Sequence, residues 1–116
     1  MRNHTRDTVL GDAVELADTS ETRRVGLLKH TRLEPGTGLW IVPCESVHTF
    51  FMKFPIDVAF VGRDGRVRKT REAVRPWRMS AALRAYAVIE LPAGVLRSTD
   101  TVVGDLLVIH PSDRSG

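Results

Sequence analysis

The sequence is short of the residues that mark several classes of protein. It contains one cysteine in 116 residues, so an internal disulfide is excluded. Aromatic residues make up 6% of the chain, which argues against a stacking platform for single-stranded nucleic acid. No apolar run reaches the roughly 18 residues that a transmembrane helix needs, so no membrane insertion is predicted.

Charged residues interrupt the start of the chain, so the continuous apolar stretch of a signal peptide is also missing. We therefore expect a cytoplasmic protein. The length is sufficient for one hydrophobic core but not for two. We predict a flexible N-terminal segment at residues 1–11, a single domain at residues 12–110 and a polar tail at residues 111–116.

Residues 44–65 carry the most informative pattern in the chain. Residues 48–52 and 56–61 are two short runs rich in β-branched and aromatic residues, which suit a pleated, half-buried surface. Pro55 cannot donate to a sheet and marks a break between them. Because Asp64-Gly65 is a turn signal, we predict a β-hairpin over roughly residues 56–72.

The rest of the chain predicts further short strands with few helical residues. Strands are expected at residues 12–17, 39–42, 86–91 and 106–110, a helix at about 20–29 and a loop at 79–85. A helix of one or two turns is expected at residues 92–97, with Pro92 at its start. The predicted fold class is mostly β (α+β), as a compact, partly closed barrel or sandwich of short strands with one or two short helices.

An ordered set of motifs resembles the DUF192 (UPF0127) family of small uncharacterised domains. The motifs are Thr-Phe-Phe-Met-Lys at 49–53, Pro-Ile-Asp-Val at 55–58, Asp-Gly at 64–65 and Val-Ile-Glu-Leu-Pro-Ala-Gly at 88–94. The resemblance covers about residues 12–110. The chain has Phe51 and Phe54 where the family more often has Trp and Asn. The resemblance implies the family's fold, and the family supplies no activity to carry over.

Cys44, His48 and Met52 form the sharpest candidate for chemistry. Their even spacing lets all three project from one face of an extended chain, and thiolate, imidazole and thioether groups bind zinc or copper. A second interpretation makes Cys44 a nucleophile with His48 as its base. A third treats the Cys and Met as core residues beside a hydrogen-bonded His. The cofactor and the question of enzymatic activity therefore stay open.

Asp57 is a charged residue inside an apolar run, so burial would require it to be paired or hydrogen-bonded. It is either a structural tie between a strand and a loop, or a site carboxylate beside Lys53 and His48. The favoured hypothesis is a non-enzymatic domain that binds a small ligand or a protein on the surface around these three residues. Trp40 or Trp77 would lie near the rim of this surface.

A basic segment at residues 63–78 offers an alternative function. One interpretation is a patch for anions or nucleic acid, with Arg66, Arg68 and Arg71 as candidate contacts. The other is the solvated face of a hairpin whose charges protect an edge strand. Nucleic acid is the less favoured partner. Seven basic residues fall in this segment: Arg63, Arg66, Arg68, Lys69, Arg71, Arg75 and Arg78.

Overall fold

The computed structural model describes residues 1–17, 33–43, 46–48, 53–82 and 85–109. These residues form short strands and one helix, which confirms the prediction of a mostly β fold. The sheets of the described chain do not close into a barrel. The elements are β1 Arg2–Asn3, β2 Thr8–Val9, β3 Ala13–Ala17, β4 Thr37–Ile41, β5 Ser46–His48, β6 Ile56–Val61, β7 Val67–Val74, β8 Met79–Ala81, β9 Ala87–Pro92, α1 Val95–Ser98 and β10 Leu107–Val108.

A five-stranded sheet in the order β3-β4-β9-β6-β7 forms the centre of the domain. Only the pair β3 and β4 is parallel within it. The predicted hairpin is present as β6 and β7, and its turn includes Gly65 at a φ of 83°, which a residue with a Cβ adopts at a cost. The strands expected near residues 12–17, 39–42 and 86–91 are confirmed as β3, β4 and β9.

Apolar side chains cover both faces of this sheet. Face 1 carries Ala59, Val61, Ile89 and Leu91 together with residues of the N- and C-terminal segments. Face 2 carries the alternate residues of the same strands, including Val58 and Val88. Strand β6 is buried along its whole length because it lies between β9 and β7 with a core on each side. The side chains of β6 therefore do not alternate between core and solvent.

The N-terminal residues that we predicted to be flexible instead contain two paired strands. Strand β1 pairs with both β2 and β10, which brings the two ends of the domain together. Asn3 is fully buried and donates hydrogen bonds to Asp105 Oδ2 at 2.9 Å and to Thr101 Oγ1 at 3.0 Å. Arg6 Nε also donates to Asp105 at 3.1 Å. Because these partners lie near the other end of the chain, a local sequence pattern could not reveal this order.

Asp105 is the centre of that polar cluster. Burial acts to raise its pKa, but hydrogen bonds from Asn3, the Val102 amide and Arg6 outweigh it and hold the pKa below its ordinary value of 3.8. The ionised carboxylate is thus the form that ties the N-terminal strands to the last turn of the domain. This turn leads into β10.

Some secondary structure expected from the sequence differs from the structure or lies outside the described residues. Residues 79–85 were expected to be a loop, but Met79–Ala81 forms β8 because it finds a partner in β5. The predicted helix at 20–29 and residues 49–52 lie outside the described residues. Within the described ranges, no helix has both the length and the apolar character to cross a membrane.

Candidate functional site

One end of the central sheet is built by the turn between β6 and β7. Because β6 and β9 are antiparallel, Val61 at the end of β6 lies beside Ala87 at the start of β9. The Tyr86 amide donates to the Val61 carbonyl at 2.8 Å. The turn is also fixed to the C-terminal segment, since the Leu107 amide donates to the Gly65 carbonyl at 2.9 Å. Sheet hydrogen bonds and turn contacts therefore pre-form this end of the molecule.

A cleft of about 430 Å³ opens beside this turn, and we call it the turn cleft. Its volume is in the range of small-molecule sites, which are roughly 300–1,000 Å³ and mostly apolar with a few polar groups. Its apolar wall comes from the sheet and the two ends of the domain, and its polar groups come from residues 62–65 and Tyr86. The lining residues are Met1, Trp40, Val61, Gly62, Arg63, Asp64, Gly65, Tyr86, Ala87, Ile89, Leu106, Leu107, Val108 and Ile109.

Two oppositely charged residues lie at the mouth of the turn cleft. The Arg63 guanidinium stacks over the Tyr86 ring, with its carbon 4.5 Å from the ring centroid. Asp64 is occupied elsewhere, because its Oδ1 accepts from the Arg66 amide at 3.0 Å and its Oδ2 lies 3.6 Å from Arg68. In the part of the chain that the structure describes, no carboxylate pairs with Arg63.

Trp40, a candidate from the sequence, lies in the wall of the turn cleft. It is partly buried on β4, in register with Leu16 of β3 and Ile89 of β9. Its indole nitrogen is enclosed, and none of the described residues accepts a hydrogen bond from it. An unsatisfied buried donor costs about 1–3 kcal/mol, so the wall of the turn cleft carries an uncompensated polar group.

Asp57 is fully buried at the other end of β6. Its Oδ1 accepts from the Ala73 amide at 2.8 Å, and its Oδ2 accepts from the amides of Gly94 at 3.0 Å and Leu96 at 2.9 Å. The carboxylate thus holds the start of α1 and an irregular point of β7, where Ala73 has a φ of 49°. This geometry matches the structural tie that was one of the two hypotheses for Asp57.

The described members of the predicted surface site lie at different places in the fold, and the grouping of His48, Lys53 and Asp57 stays a prediction. Asp57 is four residues from Val61, so about 13 Å of strand separates it from the turn cleft. Lys53 is exposed just before β6. Trp77 is 55% exposed between β7 and β8, at a φ of 66° that bulky residues rarely adopt. Of the two tryptophans, Trp40 alone lines the turn cleft.

The structure describes only one of the three candidate metal-binding residues. Cys44 and Met52 lie outside the described residues, and His48 is placed on β5, opposite Met79 of β8. Among the residues that the structure does describe, no group of three or more His, Cys, Asp or Glu side chains could hold a metal ion. The metal hypothesis and the catalytic hypothesis for Cys44 and His48 stay predictions.

The basic segment lies along β7, an edge strand of the central sheet. Its cations contact protein acceptors: Arg66 donates to the Gly104 carbonyl at 3.1 Å, Arg71 to Ser80 Oγ at 3.3 Å, and Arg68 lies near Asp64. Lys69 Nζ donates to the Ala81 carbonyl at 2.7 Å. The side chains of β7 therefore attach the β8 strand and the turns to the sheet, while Arg66, Arg68 and Arg71 stay exposed.

Sequence analysis missed Glu90, an acidic residue at the centre of the sheet. It is 4% exposed, in register with Leu39 of β4 and Val58 of β6, and it lies on face 2. Burial raises its pKa from the ordinary 4.5 to about 7. No hydrogen bond or ion pair to its carboxyl is found in the described part of the chain. The available signal was the one that singled out Asp57, a charge inside an apolar run.

Arg63 and Tyr86 were also missed as a pair. Neither residue stands out locally, and they are far apart in sequence. They meet because the end of β6 and the start of β9 are neighbours in the sheet. Tertiary structure alone makes that contact.

The protein is thus a small, mostly β domain with a cleft at one end of its central sheet, and this cleft has an apolar wall and polar groups at its mouth. The chain belongs to the DUF192 family, described as "Uncharacterized ACR", whose family model matches residues 2–109. This confirms the resemblance, and the match includes the N-terminal strands.

Relatives agree with this assignment. A UPF0127 protein of Thermococcus gammatolerans is 35% identical over 111 residues, which cover 90% of this chain and 71% of the relative. A protein of unknown function from Novosphingobium aromaticivorans has a crystal structure with a TM-score of 0.73 and 27% identity, over 80% of this chain and 71% of that one. The crystal structure of a Sinorhizobium meliloti protein, provisionally named a transcription regulator, matches with a TM-score of 0.74 and 25% identity, over 80% of this chain and 78% of that one.

Proposed function

We propose that this domain is a non-enzymatic binding module that takes a small, largely apolar ligand in the turn cleft. The observation that carries the proposal is a pre-formed cleft of about 430 Å³ with an apolar wall and a polar mouth. The domain would act in the cytoplasm, as its single cysteine agrees with a reducing compartment.

The construction of the turn cleft supports this proposal. Its wall is formed by side chains of paired strands such as Val61, Ile89 and Leu107, so a ligand would not need to order the site. Each methylene that a ligand buries there contributes about 0.8 kcal/mol. Affinity should therefore rise with the apolar length of the ligand until the cleft is full.

The experiment is a fluorescence titration with linear alcohols of increasing length. The chain contains two tryptophans, so Trp77→Phe leaves Trp40 in the cleft wall as the only indole reporter. Saturable changes in Trp40 emission are expected from 1-hexanol and 1-octanol, with affinity rising about fourfold per methylene. Failure of every alcohol to give a saturable change would refute the proposal.

A matched pair of valines tests the location. Val108 of β10 lines the turn cleft and is 39% exposed, whereas Val9 of β2 is 60% exposed and does not line it. Both are paired with Arg2 in the same three-stranded sheet. Val108→Phe should narrow the cleft and weaken binding, while Val9→Phe should have no effect. Equal effects of the two substitutions would place the ligand elsewhere.

Anion or nucleic-acid binding by the basic segment is a second proposal. The exposed side chains of Arg68 and Arg71 on the edge strand β7, and of Arg66 just before it, support it. The provisional name of the Sinorhizobium meliloti relative also supports it. Binding of duplex DNA that falls steeply with salt and is lost in an Arg66→Gln/Arg68→Gln variant is the expected result. Salt-independent or absent binding would exclude it.

The metal or cysteine-dependent alternative rests on Cys44, His48 and Met52. Elemental analysis of the untagged protein beside a Cys44→Ala/His48→Ala variant tests it. Near-stoichiometric zinc or copper that disappears in the variant would support a metal site. Its absence from both proteins would contradict the metal hypothesis.

A further inference from the structure

The mouth of the turn cleft carries one positive charge that the described residues leave without a carboxylate. Asp64 would be its nearest candidate in sequence, but the Arg66 amide and the Arg68 guanidinium already occupy the Asp64 oxygens. Arg63 is exposed, and its guanidinium contacts the face of the Tyr86 ring. A cation at the edge of an apolar cleft favours an anionic group at that position.

Stacking fixes the Arg63 guanidinium without using its hydrogen-bond donors. The ring of Tyr86 lies 4.5 Å from the guanidinium carbon, and the Tyr86 backbone is held to Val61 of β6 by a 2.8 Å hydrogen bond. A guanidinium that stacks on a ring keeps its N–H groups directed outward in the plane. This fork matches the two oxygens of a carboxylate.

The interior of the turn cleft is suited to the other end of such a ligand. Val61, Ile89 and Leu107 of the cleft wall are buried apolar residues, so a second charge placed against them would be desolvated. A ligand that fits both parts therefore has a charged head at the mouth and an apolar body inside.

We propose that the turn cleft selects an apolar-tailed carboxylate, such as a medium-chain or aryl carboxylic acid, and that Arg63 is the residue that anchors its head. The inference rests on the proposed ligand-binding function and adds the chemical class of the ligand and the residue that determines it.

The test compares two probes with the same tail and different heads. Nonanoate and 1-octanol, which both carry an octyl tail, are titrated into the Trp77→Phe protein, with Trp40 as the reporter. Burial of the tail contributes equally to both probes, and desolvation of the head favours the alcohol, because water solvates a carboxylate better than a hydroxyl. We expect nonanoate nevertheless to bind more tightly, by up to about fivefold, which is the gain of an exposed ion pair.

Two arginine variants assign the preference to one residue. Arg63→Gln should lower nonanoate affinity up to about fivefold and leave 1-octanol affinity unchanged. Arg97→Gln removes the same charge at an exposed residue of α1 that does not line the cleft, and should change neither. Arg63→Lys, which keeps the charge but loses the planar fork, should fall between wild type and Arg63→Gln. Circular dichroism of each variant verifies the fold.

The outcomes separate this inference from the function on which it rests. Tight binding of 1-octanol with no preference for nonanoate, or a preference that survives Arg63→Gln, would overturn the carboxylate anchor and leave the binding module intact. Saturable binding of neither probe would overturn both. Tighter binding of octyl phosphate than nonanoate would overturn the carboxylate assignment in favour of a phosphate head.

Discussion

Glu90 should make the stability of this domain fall as the pH rises through neutrality. The carboxyl is 4% exposed in the middle of the central sheet, and desolvation raises its pKa from the ordinary 4.5 to about 7. The folded state therefore holds the proton more tightly than the unfolded chain between these two values. The contribution of Glu90 to the free energy of unfolding should be fully present below pH 4.5 and should be lost as the pH rises to about 7.

The size of the effect follows from the pKa difference. Each pKa unit corresponds to about 1.4 kcal/mol, so the change from 4.5 to about 7 gives about 3 kcal/mol between acid and alkaline conditions. This is a large part of the roughly 5–15 kcal/mol that stabilises an ordinary domain. Most of the loss should occur between pH 5 and pH 7, where the folded protein is still protonated and the unfolded chain is not.

The assay is urea unfolding followed by circular dichroism at intervals from about pH 5 to about pH 8.5, for wild type and Glu90→Gln. Glutamine has nearly the same shape and stays neutral, so the variant should lack this component of the pH profile. The stability difference between the two proteins should change by about 3 kcal/mol in favour of the variant as the pH rises.

Glu15→Gln provides the control, because Glu15 is exposed on β3. The plot of its unfolding free energy against pH should run parallel to that of the wild type, because both proteins keep Glu90 and the same four histidines. If the Glu90→Gln profile is also parallel to wild type, the carboxyl is not desolvated in solution. The argument from burial would then be wrong.

Three further substitutions test the contacts that hold the fold. Asp57→Asn should lower the free energy of unfolding, measured in urea, by about 2–4 kcal/mol, because the backbone amides that donate to Oδ1 and Oδ2 lose a charged acceptor. The control Asp100→Asn is an exposed change at a φ of 55°, which Asn tolerates, and should be neutral. Equal effects of the two substitutions would contradict the structural role of Asp57. Gly38→Ala should lower the free energy of unfolding by about 1–3 kcal/mol in the same assay, because the added Cβ would lie 2.8 Å from the Glu90 carbonyl oxygen. Unchanged stability would refute this close approach of the two backbones. The wild type should lose stability as the pH falls below 3.8, the ordinary pKa of Asp105, because the folded state keeps this carboxyl ionised. Asp105→Asn should remove this loss. An equal loss of stability in acid for wild type and variant would contradict the role of the Asp105 hydrogen bonds.

Local patterns in the sequence predicted several elements because their causes are local. Asp64-Gly65 supplied the turn residue that a hairpin requires, and β6 and β7 form around it. A short helix was predicted to start at Pro92; the structure has it as α1, which starts at Val95, because Pro92 is still part of β9. Asp57 was predicted to need partners, since a charge in an apolar run cannot be buried alone, and three backbone amides meet that need.

Long-range contacts explain what was missed. Asn3 looked like part of a flexible terminus, yet its partners Thr101 and Asp105 are near the other end of the chain. Strand β8 had no strong pattern of its own and exists through pairing with β5. The candidate residues Trp40 and Trp77 had equal standing in the sequence, and only the packing of the sheet places one of them in the turn cleft.

The sequence by itself determined the family, the mostly β class and the central hairpin, because motifs, strand propensity and turn residues act over a few neighbouring positions. Tertiary structure decided the location of the candidate site. The turn cleft is lined by β6 and β9 of the central sheet and by β10 of the three-stranded sheet, and the stacking of Arg63 on Tyr86 depends on the register between β6 and β9. Register is a property of paired strands, so a single segment of sequence does not contain it.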